Sequence, residues 1–316
     1  MAQEKILEYL LQFVTIYLVV STNDYLYKNK RLKKANKYKG RIIKGTPFNI
    51  NDIEEEKRIK IKAKLEQEKR DKVLNFIQKL EKNFNEEDLS LMYENLASLK
   101  IKKKPPLMGI MLSLAASYNA KKNRINIYFN RAFEHEMFHL ASAKYDEKSD
   151  IECVGFVQKK DDVTIGKGLN EGYTELLRQR YFPKKMDTFY NVYNIETNLA
   201  EMMEYLLKDK QELLKYYLKA DLPGLINSLS VYANSKEVIK LIKDIDYITD
   251  FHRGFIPGPK YKAYKLILET KKTMHGWFLT KKDHEKDIKG FEEVMLRGSL
   301  EKIFLTSKEG KKVVVR

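Results

Sequence analysis

Cysteine is almost absent. Cys153 is the single one in 316 residues, which excludes an intramolecular disulfide framework and any cysteine-based zinc finger, and points to a cytoplasmic chain. Prolines (7) and glycines (14) are few, which excludes collagen-like and proline-rich architectures. Arginine is scarce as well, at 11 of the 60 basic residues. Phosphate and base-edge recognition favours the planar guanidinium fork, so a formal charge of +16 carried almost wholly by Lys does not mark a specific nucleic-acid binder. No apolar run reaches the roughly 20 residues that a membrane-spanning helix needs. The most apolar segment, residues 6–20 (ILEYLLQFVTIYLVV), is interrupted by Glu8, Gln12 and Thr15 on one helical face. It reads as an amphipathic helix packed on a core or lying on a surface. The alternative is an anchor or signal segment, with membrane association through residues 6–20, because a basic stretch follows at 28–44.

What is present describes a folding chain. Hydrophobic residues make up 43% and charged residues 33% of the sequence, and the length suits two domains or one with extensions. Four segments are expected: an amphipathic helix and basic stretch over 1–50, a charged helical region over 51–104, a mixed core over 105–182, and a helical region over 183–316. In the second, Asp52 can cap a long helix in which Val73, Phe76, Ile77 and Leu80 recur at helical spacing, and another helix is expected over 86–99. Pro105 and Pro106 end it. Residues 111–118 and 125–129 then read as strands joined by a polar turn, and RAFEHEMFHLASAKY reads as an amphipathic helix on Phe133, Met137 and Leu140. Further helices are expected over 195–207, 210–218, 222–229 and 236–242. The fold class is therefore α+β, mostly α-helical.

The helix after the second strand carries the chemistry. His135-Glu136-Met137-Phe138-His139 is an H-E-x-x-H motif. Two imidazoles one turn apart project from one helix face, about 5–6 Å apart at Cβ, which suits two ligands of one tetrahedral zinc. Glu136 lies about 100° round the helix, where it can reach a metal-bound water without being a ligand. A catalytic zinc needs a third protein ligand. Downstream, Gly168-Leu169-Asn170-Glu171-Gly172 opens a second helix that puts Glu171 and Glu175 on one stripe, flanked by Leu169, Leu176 and Leu177.

H-E-x-x-H followed by Asn170-Glu171-Gly172 resembles the gluzincin metallopeptidases, thermolysin-like and aminopeptidase N-like, over residues 107–182. The resemblance implies a zincin-like core: a small sheet with an edge strand, an active-site helix and a glutamate helix. It implies one Zn²⁺ held by His135, His139 and Glu171, with Glu175 orienting a zinc-bound His and Asn170 beside it. It further implies Glu136 as general base in the hydrolysis of a peptide or protein substrate, with strand 123–129 as the edge along which that substrate aligns. Two features depart from the pattern. There are 31 residues between His139 and Glu171, more than in the compact members, with strand-like IECVGFVQ suggesting a hairpin near the cleft. The exopeptidase signature G-A-M-E-N is absent. For the donor to the tetrahedral oxyanion, Tyr173, Tyr181, Tyr190 and His252 stand as unassigned candidates, while His252, His275 and His284 lack ligand spacing. The alternative reading of the same residues is a proteolytically inactive zincin-fold module for binding or regulation, attached to a membrane.

Overall fold

A computed structural model describes residues 67–112, 115–184, 193–253 and 260–297, and the short strands Leu305–Thr306 and Lys312–Val313. The expected helix over 6–20, the basic stretch at 28–44, the cap at Asp52 and Tyr190 lie outside the described residues. Among those described, no helix is long and apolar enough to cross a membrane.

The chain is α+β and mostly helical. The described part opens with α1 (Gln67–Glu81), a 3-10 turn (Glu86–Leu89) and α2 (Ser90–Leu96). The expected helix over 86–99 stops short, because Lys100–Lys103 (KIKK) forms strand β1. Pro106–Leu112 then forms helix α3, so residues 111 and 112, expected in a strand, are helical. Strands β2 (Ala116–Asn119) and β3 (Arg124–Ile127) complete a three-stranded sheet in the order β1-β3-β2. β3 runs parallel to β1 (Ile101 opposite Ile125) and antiparallel to β2 (Tyr118 opposite Ile125). The stretch expected to be the edge strand is thus the central one. Its two buried isoleucines explain why: a strand apolar on Ile125 and Ile127 is stabilised most between two neighbours. The edges fall instead to β2 and to Lys-rich β1, whose charges discourage further pairing.

Helix α4 (Phe133–Ala141) follows. The 31-residue insert becomes a four-stranded antiparallel meander, β4 (Ala143–Asp146), β5 (Ile151–Val154), β6 (Val157–Lys160) and β7 (Val163–Ile165), rather than one hairpin. It delivers the chain to α5 (Lys167–Tyr181). Among the described residues, helices α6 (Asn194–Leu206), α7 (Lys210–Leu218), α8 (Leu222–Leu229), α9 (Ser235–His252), α10 (Lys260–Thr280) and α11 (Ile288–Leu296) follow, and then the β8 (Leu305–Thr306)–β9 (Lys312–Val313) pair. Three of these match the expected helices closely. α9 runs ten residues further than expected, from a complete capping box at Asn234 and Glu237.

One apolar core is continuous across the proline pair. Phe76 of α1 meets Phe138 of α4 edge-on at 5.0 Å and stacks on Phe182 at 5.3 Å. Asn95 donates to the carbonyls of Leu140 and Ala143, at 2.9 and 2.7 Å, tying down the C-terminus of α4. The site helix is therefore clamped from the N-terminal side. From the other side α6 crosses α5 so closely that a Cβ at Gly172 would collide with the Glu196 carbonyl. Glycine at that position lets the glutamate helix seat against its neighbour.

Candidate metal centre

Two helices build the site. α4 presents His135 and His139 one turn apart, their rings edge to face at 4.8 Å. α5 presents Glu171 and Glu175 one turn apart. Glu171 Oε2 lies 3.2 Å from His135 Nε2 and 3.8 Å from His139 Nε2. The ligand atoms of His135, His139 and Glu171 fall within 4.8 Å of one another, a set that can hold a metal ion. Both histidines and Glu136 are buried, with 6–7% exposure, while Glu171 is half-buried.

The far side of each imidazole is also engaged. His135 Nδ1 donates to Glu175 Oε2 at 3.1 Å. His139 Nδ1 lies 3.4 Å from Thr174 Oγ1, which contacts the buried Tyr217 hydroxyl of α7 at 2.7 Å. Asn170 stands beside the ring, its Nδ2 3.3 Å from His139 Nδ1, while its Oδ1 accepts the Phe156 amide at 3.1 Å. Gly155 makes room for this contact: it turns with φ of +53°, and a side chain there would strike both Asn170 and Tyr217. The meander thereby anchors the residue that precedes Glu171.

The start of α5 is held from a distance. Its first residues carry no side-chain cap of their own. Asp246 of α9 supplies one, accepting the amides of Gly166 at 2.8 Å and Gly168 at 2.7 Å, while Lys167 pairs with Asp250 at 2.6 Å. A carboxylate there complements both the unpaired amides and the positive end of the helix.

Electrostatics in the cluster are tightly linked. Burial opposes protonation of His135, but hydrogen bonds to Glu171 and Glu175 outweigh it and hold the ring up at about 10. Burial pulls Glu171 upward, yet the two histidines hold it well below the usual carboxylate range. Glu175 behaves alike: His135 and Arg178 overcome burial and hold it at about 2. Glu136 differs. Burial raises its pKa despite the nearby histidines and the amide of Tyr118, whose backbone hydrogen-bonds the carboxylate. Of the three carboxylates in the cluster it is the one whose environment favours accepting a proton. A cation entering the set must displace the Nε2 proton of His135.

Tyr193, at the head of α6, lies parallel to His135 at 5.6 Å and hydrogen-bonds Glu171, and Arg253 covers its ring at 5.6 Å. No sequence signal singled it out among 20 tyrosines. The earlier candidates lie elsewhere. Tyr173 is in the core, with its hydroxyl on Glu204, and Tyr181 packs edge-on against Phe84 at 4.9 Å. His252 Nδ1 lies 3.6 Å from Glu196, His275 stacks on Phe291, and His284 contacts the Lys281 carbonyl, so none of the three joins the metal set. Arg178 and Asp246 were also not anticipated. Arg178 carries a local clue, three residues after Glu175 on one helix face. Asp246 carries none, because its partners precede it by about 80 residues.

Compared with known proteins, the chain matches no family model, no curated protein and no solved structure.

Proposed function

We propose that this chain is a zinc-dependent peptidase with a zincin-like core of the gluzincin type. The observation that carries the reading is the convergence of Glu171, across a 31-residue insert, on the Nε2 atoms of both H-E-x-x-H histidines. Two imidazoles and one carboxylate are a donor set suited to zinc, and each imidazole has a partner on its other nitrogen that fixes its orientation. Zinc held by His135, His139 and Glu171 would supply a Lewis acid that brings the pKa of a water down to about 7.

The remaining work belongs to the chain's own side chains. Glu136 accepts the proton of the attacking water and passes it to the leaving amine, and the Tyr118 amide holds its carboxylate in place. Tyr193 lends a hydroxyl to the substrate oxygen that gains charge. Substrate alignment passes from β3 to β2. Since the Tyr118 amide points away from β3 toward Glu136, the alternation of an antiparallel pair turns the backbone of Ala116 outward as well. That edge, unpaired among the described residues, suits an extended peptide added as a further strand.

The test is hydrolysis of a peptide library by the purified full chain. Cleavage at internal bonds, abolished by a chelator and restored by one equivalent of zinc, is expected. Zinc-loaded protein that cleaves nothing in the library would favour the binding-module alternative.

A further inference from the structure

Arg178 is buried to 4% exposure, an expensive place for a guanidinium unless its charge is matched and its donors are used. Both conditions are met by Glu175. Arg178 Nη2 donates to Glu175 Oε1 at 2.6 Å, and its Nε lies 3.1 and 3.2 Å from the two carboxylate oxygens. At its other end Nη1 donates to the Phe182 carbonyl at 3.2 Å. Phe182 stacks on Phe76 in the core, so the guanidinium is fastened to a rigid point. Gln179 reaches the same oxygen, Oε1, at 3.3 Å. Two groups thus hold Oε1, and Oε2, which also accepts from Arg178 Nε, faces His135 Nδ1 at 3.1 Å.

We infer that Arg178 is a positioning residue: it locks the Glu175 carboxylate in the one orientation that aims His135 Nε2 at the metal position, and so sets zinc affinity from two residues away. This rests on the zinc-peptidase reading. A Glu has three rotatable bonds, and a Glu aimed only by a ring hydrogen bond and an amide can turn away. Removing Arg178 takes the guanidinium off Oε1, and the carboxylate, although still drawn to His135, is then able to turn toward water. His135 then loses the acceptor that fixes its ring plane.

Zinc affinity, measured by competition with a chromophoric chelator, tests this in four proteins: wild type, Arg178→Met, Glu175→Gln and the double variant. The visible spectrum of the cobalt-substituted forms reports ligand geometry independently of turnover. Arg178→Met is expected to weaken zinc about 10–100-fold, the range for loss of a group that orients a ligand, and to alter the cobalt spectrum. In the Glu175→Gln background the same substitution is expected to cost less than about twofold more, because the residue through which it acts is already gone. Arg178→Lys, which keeps the charge but not the fork, is expected to fall between wild type and Arg178→Met, and it serves as the reading if Arg178→Met does not fold. Wild-type binding with an unchanged affinity in Arg178→Met, or an equal loss in both backgrounds, would overturn the inference while leaving the peptidase reading intact. A wild-type protein that takes up no zinc would overturn the peptidase reading, and this inference with it.

Discussion

Glu136→Gln is expected to lower peptide-bond hydrolysis about 10²–10⁴-fold, the usual contribution of a general base, while zinc content stays that of the wild type. The substitution keeps size and shape, and its carbonyl oxygen can still accept the Tyr118 amide, so the buried pocket is preserved. What it removes is the ability to take up a proton. Glu136 lies on α4 but outside the candidate set formed by His135, His139 and Glu171, which is why loading and turnover should separate. The measurement is kcat on a cleaved library peptide, beside metal analysis of the same preparation. Unchanged turnover would remove Glu136 from the chemistry, and lost zinc would make it a structural part of the site.

Arg180→Ala carries the largest expected effect on stability. Its two guanidinium nitrogens reach the two Glu204 oxygens, at 2.6 and 2.7 Å, and join the glutamate helix to α6. Glu204 is 1% exposed, so deleting its partner leaves a buried charge with the Tyr173 hydroxyl as its remaining hydrogen-bonding neighbour at that end. Breaking such a pair from one side costs about 3 kcal/mol, more than the intact pair contributes. Urea unfolding followed by circular dichroism reads the loss as a lower midpoint at unchanged slope. A Glu204→Gln background should shrink the effect, since no buried charge then remains. A loss below about 1 kcal/mol in the single variant would mean that water reaches Glu204 once Arg180 is gone.

The parts legible in the sequence are those governed by neighbours along the chain. Helical spacing of apolar residues located α6, α7 and α8, and the i, i+4 pairs His135/His139 and Glu171/Glu175 put four site residues on two helix faces. The parts that were not legible depend on distant partners. β1 has one apolar residue, Ile101, and is a strand because β3 lies beside it, a pairing across 24 residues. The same pairing turns β3 from edge to centre and hands the open edge to β2. Residues 111 and 112 mislead for another reason: a short apolar run fits a buried strand and a helix equally well. Asp246, Tyr193 and Tyr217 reach the site from α9, α6 and α7, and no periodicity records which loop returns a side chain to it.

The most direct test of the central claim is metal content. The purified protein, reconstituted and dialysed, is measured by elemental analysis beside His139→Ala and Glu171→Ala, with circular dichroism confirming that all three are folded. One zinc per wild-type chain, lost in both variants, is the predicted result, because each removes one of three donors that share a single position. Wild-type protein that holds no zinc after reconstitution, or a Glu171→Ala variant that binds it as tightly as wild type, would contradict the account.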